Sequence, residues 1–429
     1  MSFALLHPRD QIIAIMARIY GHDMTTTSGG NVSIRDETGD VWITPARVDK
    51  GNLRAQDIVC IQPDGTRVGN HPPSSEHPFH LSIYAARPDI HAIIHAHPGA
   101  LVSFSICGQA PDTRVFPEAQ MVCGKVAFAP YALPGSKELG ARIAEQFANA
   151  ERPSCVMLEN HGVVVGGANL AEAFARFETL EFTAQTIINA RQLGVVHYLT
   201  DAQLALTKER HQLPEGEAHA ASSHAKEARK ELCDFVHRAY AHRLMTSTWG
   251  SFSARVDEET FVITPSRVDR AELGLADLIV VRNGERPAGK IPSRAADLHL
   301  AIYRAHPSIN AIVNALPINA TAFSVSDFPL DTRTIPESYL FVKNVAKIPF
   351  ERLYLDAAGI ASIVGPDCPV ALLEHNGAVV AGRSVLDAFD RLEVLEATAA
   401  AIIRSRSLGP ISPMSDQVVD ELVRAFGAV

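Results

Sequence analysis

Two histidines on a predicted strand are the residues of this chain best placed for chemistry. Residues 91–97 read HAIIHAH, an apolar run with His95 and His97 at its end. Side chains at i and i+2 of a strand point to the same face, so the two imidazoles project side by side. Such a pair can share one divalent ion, and the alternative is a pair of solvated histidines.

His161 is the third candidate ligand. It lies in a glycine-containing turn directly after the apolar stretch 154–158, where the end of a strand can enter a shared cleft. Three histidines with one open position match the catalytic pattern for zinc. His91 faces the same way as His95, and we assign it to packing or to support of the ligands. We therefore predict a divalent metal site, with zinc favoured and manganese as the alternative.

Residues 72–76, PPSSE, precede a predicted helix and offer both an anion site and an acid. Ser75 is a natural N-cap, and a helix N-terminus beside the hydroxyls of Ser74 and Ser75 favours an anion. Glu76 stands at the start of the helix. It is either a first-turn acid favoured by the helix dipole or a general base beside the metal, and the helix pattern leaves both open.

A second anion site is predicted around the glycine pair of residues 26–33, TTSGGNVS. Adjacent glycines let backbone amides close on a ligand, here at Gly30 and Asn31. Thr44 and Arg47 add a hydroxyl and a guanidinium to the same pocket.

A mixture of helices and strands must position these residues. Apolar spacings of three and four predict helices over about 8–21, 76–88, 136–149 and 168–192. Short strands are predicted over about 31–35, 40–44, 57–62, 91–97, 126–129 and 154–158. Because no strict β-α-β order connects them, the fold class is a layered α/β or α+β domain.

The chain contains this unit twice. TPARVDKGNL at 44–53 returns as TPSRVDRAEL at 264–273, and residues 80–98 return at 299–317 with 11 of 19 positions identical. We predict a first domain over 1–205, an exposed polar linker over 206–224 and a second domain over 225–429.

The second copy has lost the predicted ligands together. The residues that replace Glu76, His95, His97 and His161 are Ala295, Asn314, Leu316 and Asn376. Packing positions such as His299 and Tyr303 remain. His375 has no second or third partner nearby, so we do not assign it as a displaced ligand. The second copy is predicted to bind no metal.

Composition narrows the class of protein. The 429 residues suit two or three domains, and 39 basic against 48 acidic residues give a net charge of −9 without a basic block. This balance argues against general nucleic-acid binding. Neither a membrane span nor a secretory signal is predicted. Six scattered cysteines are typical of reduced thiols in a cytoplasmic protein.

The motifs together resemble the class II aldolase/adducin family, which includes the fuculose- and rhamnulose-phosphate aldolases and ribulose-phosphate 4-epimerase. The motifs that carry the resemblance are SGGNVS at 28–33, TP at 44–45, PSSE at 73–76, HAHP at 95–98, PY at 130–131 and NHG at 160–162. The resemblance implies tandem three-layer α/β/α domains, with a metal, usually zinc, on the three histidines. It makes Glu76 the acid/base carboxylate, and its phosphate-binding positions fall on Gly30, Asn31, Thr44, Ser74 and Ser75.

Two positions depart from the family pattern. Arg47 replaces the glycine of the usual T-P-[ST]-G loop, and we expect it to bind an anionic group, a carboxylate rather than a phosphate. The tyrosine that the sugar-phosphate aldolases use as proton donor would fall near Phe116, which cannot donate a proton. Tyr131 is the candidate replacement.

The expected activity is a metal-dependent lyase that cleaves a C–C bond next to a carbonyl through a metal-stabilised enediolate. Glu76 would carry the proton, working best if burial raises its pKa toward neutrality. Decarboxylation of a hydroxy or oxo acid, sugar-phosphate epimerisation and a non-enzymatic adducin-like scaffold are the alternatives. The substrate is expected to be small and anionic. Because the aldolases that the chain resembles are fourfold tetramers, we expect a homodimer that forms a pseudo-fourfold ring of domains.

Overall fold

The computed structural model describes residues 3–208, 212–217 and 222–426. In chain order the elements of the first copy are α1 (Pro8–Gly21), β1 (Asn31–Arg35), β2 (Val41–Ile43), β3 (Val59–Ile61), β4 (Arg67–Val68), α2 (His77–Ala86), β5 (Ala92–Ala96), α3 (Gly99–Ile106), α4 (Pro117–Cys123), β6 (Val126–Ala129), α5 (Lys137–Ala148), β7 (Cys155–Leu158), β8 (Gly162–Gly167) and α6 (Leu170–Leu193). Each helix and strand predicted from the sequence is present within a few residues of its expected bounds.

The strands of the first copy form one mostly antiparallel sheet. Their order is β4-β3-β2-β1-β5-β8-β7-β6, and only the β6–β7 pair is parallel. At its centre β5 lies between β1 and β8, where His95 is paired with Asn31 on one side and with Val164 on the other. The central strand therefore carries the first two predicted ligands.

Both faces of this sheet are covered, which confirms the layered α/β fold. On one face Ile93, Val156 and Val164 join a buried cluster with residues of α2 and α5. The residues that alternate with them, Ile94 among others, point to the opposite face and are also fully buried. The helices α1 and α3 contact the sheet as well.

The second copy repeats this architecture. Its elements are α7 (Asp201–Leu206), β9 (Glu215–Gly216), α8 (Ser223–Ala241), β10 (Ser251–Arg255), β11 (Thr260–Ile263), β12 (Ile279–Arg282), β13 (Arg286–Pro287), α9 (Ala296–Ala305), β14 (Ala311–Ala315), α10 (Ile318–Ser324), β15 (Val345–Ile348), α11 (Arg352–Leu355), α12 (Ala357–Ala361), β16 (Val370–Leu373), β17 (Ala378–Gly382), α13 (Val385–Ser405) and α14 (Asp416–Phe426). Its sheet has the order β12-β11-β10-β14-β17-β16-β15. This order matches that of the first sheet without β4.

Two compact units divide the chain. The first contains Met1–Arg114 and Glu118–Gln185, and the second contains Val115–Pro117 and Thr186–Val429. The division falls inside α6, earlier than the boundary predicted at residue 205. The end of α6 packs within the second unit, where Asn189 Nδ2 donates to Asn319 Oδ1 at 3.1 Å.

The predicted linker over 206–224 is only partly exposed. Leu213 is buried in the core of the second unit, and β9 pairs in parallel with β13. The segments 209–211 and 218–221 of this linker lie outside the described residues. Among the helices that the structure describes, none is long and apolar enough to cross a membrane.

Candidate metal centre

The three predicted ligands meet at the end of β5. His95 lies on β5, His97 follows it, and His161 lies in the turn between β7 and β8. One ligand atom from each lies within 4.8 Å of the others. The ring centroids are 4.7 Å apart for His95 and His97, 4.8 Å for His95 and His161, and 5.0 Å for His97 and His161.

The hydrogen bonding of these histidines suits a metal. His95 Nδ1 donates to the Val163 carbonyl at 2.9 Å, so its Nε2 is left as the ligand atom. Among the described residues His97 Nε2 is buried without a hydrogen-bond partner, and His95 Nε2 is buried 3.2 Å from Glu76 Oε2. A buried polar atom rarely lacks a hydrogen-bond partner. A divalent ion would satisfy both, because neutral imidazole is an ordinary zinc ligand.

A glycine lets His161 come this close to β5. A Cβ atom at Gly162 would stand 2.6 Å from the Ala96 carbonyl oxygen and 2.8 Å from His97 Cδ2. Asn160, the residue before His161, has φ 52°, a left-handed conformation that asparagine tolerates. The His161 amide donates to Ser105 Oγ at 2.9 Å, which fixes the turn.

Glu76 is the carboxylate of this cluster. Its Oε2 lies 3.2 Å from His95 Nε2, and its Oε1 lies 3.4 Å from His161 Nε2. Asn31 Nδ2 donates to the same Oε2 at 2.9 Å. The side chain is therefore an acceptor held against the ligand atoms, rather than a first-turn acid facing solvent.

Burial and charge act on Glu76 in opposite directions. Burial opposes its ionisation, but the charge and hydrogen bond of His95, followed by His161 and Asn31, outweigh this effect and lower its pKa. The pKa of Glu76 is therefore lowered, whereas burial alone would raise it. Burial also lowers the pKa of His97 to about 3 and that of His161 to about 4, so both rings are neutral at physiological pH. Neutral rings are ready to bind a metal.

The glycine pair lies directly beside this cluster. Gly30 has φ 68°, and a Cβ atom there would stand 2.9 Å from the His95 carbonyl oxygen, so only glycine fits. A Cβ atom at Gly29 would stand 3.4 Å from His97 Nδ1. Thr25 Oγ1 is buried in the same loop without a hydrogen-bond partner. Sequence reasoning missed Thr25, because threonine before a glycine pair carries no distinctive pattern.

The other two segments that were predicted to bind an anion are joined by backbone hydrogen bonds. The Ser74 amide donates to the Thr44 carbonyl at 3.1 Å, and the Ala46 amide donates to the Pro72 carbonyl at 3.0 Å. Ser74 and Thr44 are buried. Ser75 is exposed, and the prediction that it caps α2 is wrong: Glu76 takes the cap position and makes no side-chain cap bond. The helix starts one residue later than a Ser75 cap requires.

Arg47 is exposed on the loop after Thr44 and has φ 57°, the backbone conformation that favours glycine. Its guanidinium makes no hydrogen bond to the residues described in the structure, and it is therefore available to a ligand. Lys50 stabilises this loop, because its Nζ is buried and donates to the carbonyls of Pro45 and Val48.

Three further residues were singled out from the sequence. His91 precedes β5, is exposed, and has its Nδ1 3.4 Å from the Arg35 carbonyl oxygen. Tyr131 is 51% exposed, and its backbone amide donates to Glu159 Oε2 at 2.8 Å. Phe116 is fully buried. The structure thus brings together the histidines, Glu76 and the glycine loop, and it shows no contact of Tyr131 with the ligands among the described residues.

The second copy keeps the backbone and has other side chains at the corresponding positions. Ser251 is paired with Asn314 on β14 as Asn31 is paired with His95. His375 has φ 56° and corresponds to Asn160 rather than to His161. Its Nδ1 donates to the Val115 carbonyl at 2.9 Å. Among the described residues, the three histidines of the first copy are the one such group of potential metal ligands.

Fold and site together define an α/β domain that carries a cluster of three histidines able to hold a metal, present in one copy and replaced in the divergent repeat. The chain belongs to the class II aldolase and adducin N-terminal domain family, whose sequence pattern matches residues 10–188 and again 230–403.

Several relatives match about one copy each. The chain is 35% identical over 175 residues to the L-fuculose phosphate aldolase of Methanococcus maripaludis, which covers 41% of this chain and 93% of the relative. It is 31% identical over 204 residues to the 3-oxo-tetronate 4-phosphate decarboxylase of Haemophilus influenzae, with 46% and 95% covered. A solved structure of an L-fuculose 1-phosphate aldolase is 33% identical, with 46% of this chain and 93% of that chain covered and a TM-score of 0.43.

Proposed function

We propose that the first copy is a metal-dependent lyase that cleaves a C–C bond next to a carbonyl in a small anionic substrate, a hydroxy-oxo acid or a sugar derivative. The observation that carries this proposal is the buried cluster of three histidines with Glu76 against two of them. The relatives named as aldolases and decarboxylases support the same class of reaction.

His95, His97 and His161 would hold a divalent ion, for which we favour zinc. Such an ion supplies a Lewis acid that polarises the carbonyl and stabilises the negative charge developed on bond cleavage. Glu76 carries the proton: its pKa is lowered, so the carboxylate is ionised at physiological pH. An ionised carboxylate can accept a proton from a hydroxyl placed beside it.

The remaining residues bind and orient the substrate. The glycine loop at Gly30 lies beside His97, and the segments of Thr44 and Ser74 are joined to each other. Arg47 offers a guanidinium to an anionic group of the substrate. Remote contacts of this kind position the reacting bond.

Metal-reconstituted full-length protein tests the proposal. Aldehyde release and CO₂ release are measured with a panel of phosphorylated and carboxylated hydroxy-ketones. We expect turnover that is lost in His97→Ala, and that is lost in wild-type protein after chelation and restored by zinc. Absence of turnover on every class of substrate, in protein shown to hold the metal, would reject the proposal.

Decarboxylation is the second candidate, and the relative named as a 3-oxo-tetronate 4-phosphate decarboxylase favours it. In retro-aldol cleavage a hydroxyl must lose its proton as the aldehyde departs. Loss of CO₂ from a carboxylate needs no such step, and both reactions leave an enolate that must take up one proton on carbon. Release of CO₂ without aldehyde from an oxo acid would establish this alternative.

We further propose a homodimer, as a pseudo-fourfold ring of domains, in the cytoplasm. The dimer rests on the tandem repeat of a unit whose relatives match one copy each, and the location rests on the scattered cysteines. Light scattering that gives the mass of two chains supports the dimer, and a monomer that is fully active contradicts it.

A further inference from the structure

A buried row of hydrogen bonds leads from the core of the first copy to Glu76. Tyr84 Oη lies 2.7 Å from Ser33 Oγ, which lies 2.7 Å from His80 Nδ1. His80 Nε2 lies 2.5 Å from Asn31 Oδ1, and Asn31 Nδ2 lies 2.9 Å from Glu76 Oε2. All five side chains are buried, and His80 and Ser33 have no exposed surface.

The spacing of the residues explains how the row forms. Glu76, His80 and Tyr84 are four residues apart, so they lie on one face at the start and along the length of α2. Asn31 and Ser33 are two apart on β1, so they point to the same face of the sheet. The two sets alternate where helix and strand meet.

The direction of each hydrogen bond is fixed by the carboxylate. An ionised carboxylate only accepts, so Asn31 turns its Nδ2 to Glu76 and its Oδ1 to His80. His80 must then donate through Nε2, and its Nδ1 accepts from Ser33. Ser33 in turn accepts from Tyr84. Four donors therefore point toward Glu76, and aligned donors of this kind strengthen one another.

The second copy provides an internal comparison. Ser253 Oγ lies 2.7 Å from both His299 Nδ1 and Tyr303 Oη, as in the first copy. His299 Nε2 then contacts Asn314 Oδ1 at 2.7 Å, on the strand that carries His95 in the first copy. Ala295 stands in place of the carboxylate. The core part of the row is common to both copies, and its connection to a carboxylate is found in the first.

We propose that His80 is a positioning residue for the reaction, acting through Asn31 on Glu76. It holds Oε2 of Glu76 in place 3.2 Å from His95 Nε2, and so fixes Oε1 at 3.4 Å from His161 Nε2. This role depends on the proposed function of Glu76 as the proton carrier. The side chain of Asn31 is hydrogen-bonded to His80 and Glu76, so Asn31 can contribute to anion binding only through its backbone.

Three variants of the full-length, metal-loaded protein test this role. His80→Leu removes both the donor and the acceptor, His80→Gln restores one of each, and His299→Leu breaks the matching row in the second copy. We expect His80→Leu to lower kcat by about 10- to 100-fold, the usual cost of removing a residue that orients a site, with KM nearly unchanged. His80→Gln should recover most of this loss. His299→Leu should lower stability as His80→Leu does and leave kcat unchanged.

An equal loss of kcat in His80→Leu and His299→Leu, or wild-type kcat in His80→Leu, would overturn the role. If His80→Leu does not fold, the comparison is made between His80→Gln and a His80→Asn variant, whose shorter amide cannot span Ser33 and Asn31. Equal kcat in those two variants would also overturn it.

Imidazole N–H signals in ¹⁵N-histidine-labelled protein give a measurement that needs no turnover. We expect His80 and His299 to be neutral and protonated on Nε2, and Glu76→Gln to shift the His80 signal while leaving that of His299 in place. A His80 ring protonated on Nδ1, or a signal insensitive to Glu76→Gln, would overturn the coupling. Absence of turnover in the wild type rejects the proposed function, whereas turnover with an unaffected His80→Leu rejects the role of His80 alone.

Discussion

Replacing Arg47 with glycine separates the chemistry of its guanidinium from the strain of its backbone. Arg47 has φ 57°, and Arg267, the corresponding residue of the second copy, has φ 59°. A left-handed conformation costs a residue other than glycine about 1–2 kcal/mol. Glycine loses about 0.5–1 kcal/mol more in conformational entropy on folding. The free energy of unfolding of each glycine variant should therefore equal that of the wild type or exceed it by up to about 1.5 kcal/mol.

The two variants should differ in catalysis. Arg47 follows Thr44, whose carbonyl accepts from the Ser74 amide, so the backbone of this loop lies against the predicted anion site. Loss of a hydrogen bond to a charged group costs about 1.5–3 kcal/mol, or about 10- to 150-fold in KM. Arg47→Gly should raise KM for an anionic substrate by that factor. Arg267→Gly, in the copy without metal ligands, should leave KM unchanged.

Initial-rate kinetics on the anionic substrate and on its uncharged analogue measure this difference, and urea unfolding measures stability. Arg47→Lys keeps the charge without the two-pronged geometry, so its KM should lie between those of wild type and Arg47→Gly. An unchanged KM in Arg47→Gly would refute the assignment. So would an equal rise in KM for the uncharged analogue, because the effect would then not come from charge.

Three more outcomes are expected. Elemental analysis should find one tightly bound divalent ion per chain, and two such ions would mean that the second copy binds metal. Glu76→Gln should keep the ion and lose turnover by about 10²–10⁴-fold, whereas His97→Ala should lose both; release of the ion from both variants alike would make Glu76 a ligand. In metal-free protein the free energy of unfolding should fall as the pH drops from about 6.5 toward 4, because the lowered pKa values of His97 and His161 mean that the unfolded chain binds protons that the folded chain does not. His97→Leu should reduce that slope in urea titrations, and an unaltered slope would contradict this cause.

Local pattern was enough to predict most of the helices and strands of the first copy and the histidine cluster. Strand alternation places His95 beside His97, and comparison of the two copies singles out His161. Contacts between distant segments were not predictable in this way. His80 has apolar neighbours in the sequence, as its counterpart His299 has, and only the structure shows that its side chain on α2 reaches Asn31 on β1. The helix α3 was missed because its residues are apolar on most sides, which leaves no periodic signal.

The shared strand order of the two sheets has a consequence for folding. Ser251 pairs with Asn314 in the register in which Asn31 pairs with His95, so a strand of one copy meets the geometric requirements of the other sheet. Tandem domains of like topology are prone to exchange strands during synthesis, when the first copy has emerged and the second is still unfolded. Because the side chains at equivalent positions have diverged, each strand packs better in the core of its own copy than in the core of the other copy. Selection against such exchange would act on the whole length of the strands, and it would favour a second copy that differs from the first in its core as well as at its former ligands.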